Sequence, residues 1–198
     1  MKILKGFPST SQNDYQLNVT SIIKNAARNF GSQSLVVMKP DGGTFSYTYM
    51  EAYERIKRLA NALNKLGIEP GDRIGVLGWN TNRHYELYFG IPGTGAVLLL
   101  MNMRLKPEEL IYIANHSGAK LIFVDESLIQ IAEAISSEVE SIIGYVIMTD
   151  GKLTDIKTKL RPIYSYEDLL DEAKPEYEWP MIDERSAYAA CYTSGTTG

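Results

Sequence analysis

The 198-residue chain carries 20 basic and 24 acidic side chains, a formal net charge of −4, and is 44% hydrophobic and 22% charged. These values belong to an ordinary soluble chain able to bury a core, and the acidic balance argues against a nucleic-acid surface as its main business. No run approaches the roughly 20 apolar residues of a membrane span, Met1 to Thr10 holds no apolar leader core, and a lone cysteine cannot close an internal disulfide, which fits a reducing, cytoplasmic compartment.

Residues 1–18 are polar and weakly patterned and read as an arm that needs another surface to order it. The remainder, 19–198, reads as one α/β unit. From Val19, the residues Ile22, Ile23, Ala26, Ala27 and Phe30 fall on one side of a short helix, with Gly31 placed to cap it. Leu35-Val36-Val37-Met38 and Thr44-Phe45-Ser46-Tyr47 flank the turn sequence Pro40-Asp41-Gly42-Gly43 and predict a hairpin. Thr48 and Glu51 make a T-x-x-E capping box. Behind it Met50, Tyr53, Ile56, Leu59, Ala60, Leu63 and Leu66 recur at helical spacing until Gly67 and Pro70 end the helix.

Arg73-Ile74-Gly75-Val76-Leu77-Gly78 is an inner strand. A helix begins at about Arg83 behind Trp79-Asn80-Thr81-Asn82, and Pro92 is expected to break or kink it. Its Gly90-Ile91-Pro92-Gly93-Thr94-Gly95 is not a G-x-G-x-x-G fingerprint and lies inside a helix rather than after a strand. Val97 to Met101 is continuously apolar, as central parallel strands are. Pro107, Glu108 and Glu109 suit a helix start, and that helix ends near His116 and Gly118. His116 there complements the helix dipole. Leu121 to Val124 and Tyr145 to Met148 are further strands, with Asp125 or Ser127 capping the helix between them. Ser165-Tyr166-Glu167-Asp168 opens a short helix, and Glu172 to Glu184, with two prolines and many charges, reads as an exposed connector. Strands alternating with helices at this spacing predict an α/β layer with a mostly parallel sheet flanked by helices.

The final apolar run, Ala187-Tyr188-Ala189-Ala190-Cys191, reads as a buried strand, with Cys191 a small buried hydrophobe rather than a nucleophile. It empties into Tyr192-Thr193-Ser194-Gly195-Thr196-Thr197-Gly198. Glycines let consecutive N–H groups turn inward as an anion nest, and Ser and Thr hydroxyls add donors. Thr193, Ser194, Gly195, Thr196, Thr197 and Gly198 are therefore candidate phosphate ligands, beyond the carboxyl end of a strand where α/β sheets gather ligands. The common P-loop is excluded, because no Gly-Lys-Ser/Thr occurs at the required spacing.

Tyr-Thr-Ser-Gly-Thr-Thr-Gly resembles the signature loop of the adenylate-forming enzymes: acyl-CoA ligases, beetle luciferases and peptide-synthetase adenylation domains. Gly71-Asp72-Arg73-Ile74-Gly75-Val76 resembles the family's GD-basic strand. Asn102-Met103-Arg104-Leu105 followed by Lys106-Pro107-Glu108-Glu109-Leu110 resembles its second core motif, with Met103 in place of the usual Pro. Phe45-Ser46-Tyr47 before the long helix fits as well. Trp79-Asn80, Arg83-His84, Glu86, Tyr88-Phe89, Pro92-Gly93 and Gly95-Ala96-Val97 resemble the medium- and long-chain fatty acyl-CoA ligase branch.

The resemblance implies the amino-terminal part of an ATP-dependent ligase. That enzyme converts ATP and a fatty acid to acyl-adenylate and pyrophosphate, then lets coenzyme A displace AMP, with Mg2+ sharing the phosphate charge. The family's acyl and adenine pockets, metal-binding Glu and catalytic Lys lie downstream, so this chain alone is expected to be inactive and to hold neither catalytic nor metal-binding residues. His84 is read as a packed histidine, with contact to substrate or a second subunit as its functional alternative. The runners-up are an aryl- or amino-acid-activating relative and a non-catalytic dimerisation or scaffold module, the latter suited by an arm that could wrap a homodimer partner.

Overall fold

Helix α1 (Val19–Phe30) leads into a two-stranded antiparallel hairpin of β1 (Ser34–Met38) and β2 (Thr44–Thr48), then α2 (Tyr49–Lys65). The structure, a computed structural model, describes residues 6–7, 15–39 and 42–193. The capping box forms: Thr48 Oγ1 accepts from Glu51 N at 3.2 Å while Glu51 Oε2 accepts from Thr48 N at 2.7 Å. These bonds hold Glu51 below the usual carboxylate range. The α1 stripe is narrower than predicted. Ile23 and Ala27 are buried, but Ile22 is 64% and Phe30 48% exposed, since α1 packs mainly on α2 and the next helix, along one side. Met50 likewise points outward. Gly31 keeps helical angles (φ −54°) rather than the left-handed cap geometry; a side chain there would meet the Ala27 carbonyl at 2.5 Å.

Six strands build the main sheet: β3 (Arg73–Leu77), β4 (Val97–Leu100), β5 (Ala119–Asp125), β6 (Gly144–Met148), β7 (Ile163–Ser165) and β8 (Ala189–Cys191), in the order β7-β6-β5-β3-β4-β8. Every neighbouring pair is parallel. Helices α3 (Asn82–Gly93), α4 (Pro107–Ser117), α5 (Ile129–Ile135) and α6 (Tyr166–Asp171) supply the crossovers and cover both faces. Alternation along β5 divides the core: Leu121 and Phe123 join α2, α3 and α6, while Ile122 and Val124 join α4 and α5. Strand β7, short and unforeseen, extends the sheet by pairing with β6.

Pro92 does not break α3, which runs on to Gly93. Pro92 has no N–H to offer the Tyr88 carbonyl, and the Tyr188 hydroxyl donates to that carbonyl instead at 2.9 Å. Gly118 ends α4 with φ +63°, as its position after the last turn predicts. The connector after α6 is not loose. Arg58 donates to Ala173 O at 2.7 Å, Asn61 to Lys174 O and Glu176 O at 2.8 Å each, and Trp179 Nε1 to the Tyr53 hydroxyl at 3.0 Å, so the segment is strapped across α2.

Helices α2 and α3 meet at Gly90, where an added Cβ would lie 2.4 Å from Leu59 Cδ2. Gly90→Val should lower unfolding free energy by about 2–3 kcal/mol through overpacking, read as a reduced urea midpoint with an unchanged slope.

Candidate functional site

A fully parallel sheet collects all its strand ends on one edge. Register places Cys191 beside Leu100, Leu100 beside Val76 and Leu77 beside Val124, so β8 leaves the sheet on the same side as β4, β3 and β5. Thr193 lies two residues further on and is exposed. The other predicted phosphate ligands, Ser194 to Gly198, lie outside the described residues. Strand β8 is not the buried strand expected. It is an edge strand paired only to β4 among the described residues, so Ala189 and Ala190 are half-buried and Cys191 is exposed.

The strand order reverses between β3 and β5, the point at which a crevice opens in such sheets. A cleft of about 800 Å³ lies there, lined by residues including Arg83, Asp125, Ser127 and Asp150. Trp79 Nε1 donates to Ser127 Oγ, one of the lining residues, at 2.8 Å. Beside it runs a charge network that sequence reasoning missed. Glu86 is fully buried; it accepts from Arg55 Nε at 2.8 Å and from the Tyr166 hydroxyl at 2.6 Å. Arg55 and Arg83 both grip Glu167, at 2.9 and 2.7 Å, and Arg83 reaches on to Asp150 at 2.6 Å, which also holds Lys39 at 2.7 Å. Burial works against the charge on Arg55, but Glu86 outweighs it and the pKa rises. Burial and Glu86 together push the Tyr166 hydroxyl well up. Burial would raise Glu167, yet Arg55 and Arg83 hold it below the usual range, and Lys39 and Arg83 do the same for Asp150. Helical spacing carries no sign of the Glu86 network; the sequence marked Glu86 only through the family resemblance and as a carboxylate flanked by Tyr85, Leu87 and Tyr88.

Residues 23–198 match the family described as AMP-binding enzyme. The chain belongs to the AMP-binding enzyme family. It is 38% identical over 195 residues to a long-chain-fatty-acid–CoA ligase of Thermus thermophilus, covering 98% of this chain and 34% of that protein. It is 36% identical over 182 residues to a 3-methylmercaptopropionyl-CoA ligase of Ruegeria lacuscaerulensis, covering 92% and 34%. The chain thus spans about a third of the length of these curated relatives. Its fold matches the anthranilate CoA ligase AuaEII in complex with anthranoyl-AMP, with TM-score 0.75 at 22% identity over 89% of this chain and 32% of that one. It also matches the N-terminal domain of FACL13 from Mycobacterium tuberculosis, with TM-score 0.74 at 23% identity over 91% and 42%.

Within this AMP-binding fold His84 is 8% exposed and stacks on Tyr88 at 5.1 Å. Its Nδ1 lies 3.1 Å from the Trp79 carbonyl, which can only accept, so Nδ1 carries the proton and Nε2 is left without a partner among the described residues. Burial lowers its pKa against the pull of that carbonyl. His116 is exposed in the last turn of α4, bonded to the Tyr192 hydroxyl at 2.7 Å. Among the described residues no group of three or more His, Cys, Asp or Glu side chains could hold a metal ion, and no helix is long and apolar enough to cross a membrane.

Removing one partner of a buried pair strands the other's charge, so Arg55→Met should cost about 3–5 kcal/mol, measured by urea unfolding at neutral pH. The pH dependence has two stages. His84 is depressed, so the unfolded chain binds more protons and stability falls as pH drops below about 6.5. Glu167 and Asp150 are also depressed; their contribution is full above about pH 4.5 and is lost as pH falls through their lowered values. In a series of thermal melts against pH, His84→Gln should flatten the upper stage and leave the lower one.

Proposed function

We propose that this chain is the ATP-gripping amino-terminal part of a fatty acyl-CoA ligase that forms an acyl-adenylate and then a CoA thioester. One observation carries the reading: an edge strand of a parallel sheet, β8, delivers Thr193 directly into the glycine- and hydroxyl-rich run Ser194-Gly195-Thr196-Thr197-Gly198. Backbone N–H groups of Gly195 and Gly198, with the hydroxyls of Thr193, Ser194, Thr196 and Thr197, would hold the β- and γ-phosphates and steady the departing pyrophosphate. Mg2+ would arrive with ATP and share that charge, and no described residue of this chain is assigned to it. His84, sealed in the core, serves packing rather than contact with substrate or a second subunit. The fatty-acid substrate is supported by relatives named as medium- and long-chain-fatty-acid–CoA ligases. The alternatives of aryl or amino-acid activation and of a non-catalytic scaffold have less support, because these two fatty-acid ligases resemble almost the whole chain, at 92% and 98% coverage.

The test is pyrophosphate release by a protein extended to the length of these relatives, supplied with MgATP and a panel of carboxylic acids. Medium and long fatty acids should lead, and the 198-residue chain by itself should release none. Preference for aryl or amino acids would overturn the substrate, and acyl-adenylate formation by the short chain would overturn the division of labour.

A further inference from the structure

Strand β5 is apolar on both faces, with Leu121 and Phe123 in one core cluster and Ile122 and Val124 in the other. A one-residue slip against β3 would exchange one apolar set for another, so burial alone specifies the register weakly. The register still matters, because it decides which residues meet beyond the strand ends, where Trp79 Nε1 bonds Ser127 Oγ. A second device lies at the opposite, amino ends of the two strands. The ladder is irregular there: Arg73 pairs with Ala119 and Ile74 with Leu121, which leaves Lys120 as an extra residue. Regular alternation would turn Lys120 to the side of Ile122, into the core under α4 and α5. The bulge puts Ala119 in that cluster instead. It re-aims Lys120, whose ammonium donates to Asp72 Oδ2 at 2.6 Å and to Gly67 O at 2.8 Å. Arg73 does the converse. Its Nε donates to Ser117 O at 2.5 Å and its Nη2 to Gly118 O at 3.1 Å, at the carboxyl end of α4, where a cation is favoured. Each strand thus grips the segment that leads into the other. The Asp72 carbonyl also holds β4, accepting from Val97 N at 2.7 Å.

From this geometry we infer that Asp72, Arg73 and Lys120 form a register clamp, and that this is the task of the Gly71-Asp72-Arg73 motif: two crossed cations pin the bulged start of β5 against β3 and so set the alignment of the crevice at the far ends. The clamp acts at the edge of the sheet opposite the crevice and does not depend on which acid the enzyme activates. A lysine kept only for solubility would need no bulge to bring it to Asp72. An arginine kept only for its charge would not place two nitrogens on carbonyls that precede a neighbouring strand.

The experiment uses the protein extended to the length of its relatives and follows amide hydrogen exchange by mass spectrometry with residue-level fragmentation. Asp72→Asn keeps an oxygen for Glu69 N, which Asp72 Oδ2 accepts at 2.9 Å, and Lys120→Met keeps the apolar stem. Each should speed exchange over residues 73–75 and 119–121 about tenfold, the order expected for one charge-assisted hydrogen bond, and leave residues 76–77 and 123–125 as they were. The double variant should match Lys120→Met, since both changes break the same pair. Arg73→Met should speed exchange over residues 117–121 by a similar factor. Unchanged exchange, an equal acceleration along the whole of both strands, or additive effects in the double variant would each overturn the clamp.

Discussion

The constraint beneath this structure is direction: all six strands of the main sheet run the same way. Parallel neighbours cannot be joined by tight turns, so every connection must cross a face, and helices are the compact means of crossing. That forces apolar side chains on both sides of β3, β4, β5 and β6, whose burial is nearly continuous. It also sends every strand's exit to one edge. The crevice beside β3 and β5 and the departure of the loop after β8 are consequences of that arrangement rather than separate inventions.

Covering a sheet on both faces brings charged residues of helices into the interior, and Glu86 is where this becomes costly. A fully buried carboxylate is tolerable only when its lone pairs are occupied and its charge is answered. Arg55, from α2, answers the charge and, with the Tyr166 hydroxyl from α6, occupies lone pairs, so α2 and α6 are both tied to a single side chain on α3. Glu167 and Arg83 carry the connection out to Asp150, after β6, and to Lys39 in the hairpin connection between β1 and β2. A well-packed apolar cluster could be as stable. What the ion network adds is a fixed mutual placement of α2, α3 and α6 beside the cleft, because a bidentate guanidinium tolerates little sliding.

Much of this was legible in the residues because its cause is local. The Thr48–Glu51 box, Pro107 with two acids behind it, and the left-handed Gly118 are each decided within a turn of helix, and each stands as read. The sheet's parallel character came from the spacing of strands and helices. What escaped was decided by distant partners. Strand β7 is three residues long and exists because β6 offers it an edge. The apolar run at β8 has the composition of a buried strand, yet among the described residues β8 pairs only with β4, and Cys191 is exposed. The strap after α6 looks like polar linker because its anchors, Arg58, Asn61 and Tyr53, lie more than a hundred positions earlier. The proposed phosphate loop rests on residue type and order alone, since Ser194 to Gly198 lie outside the described residues.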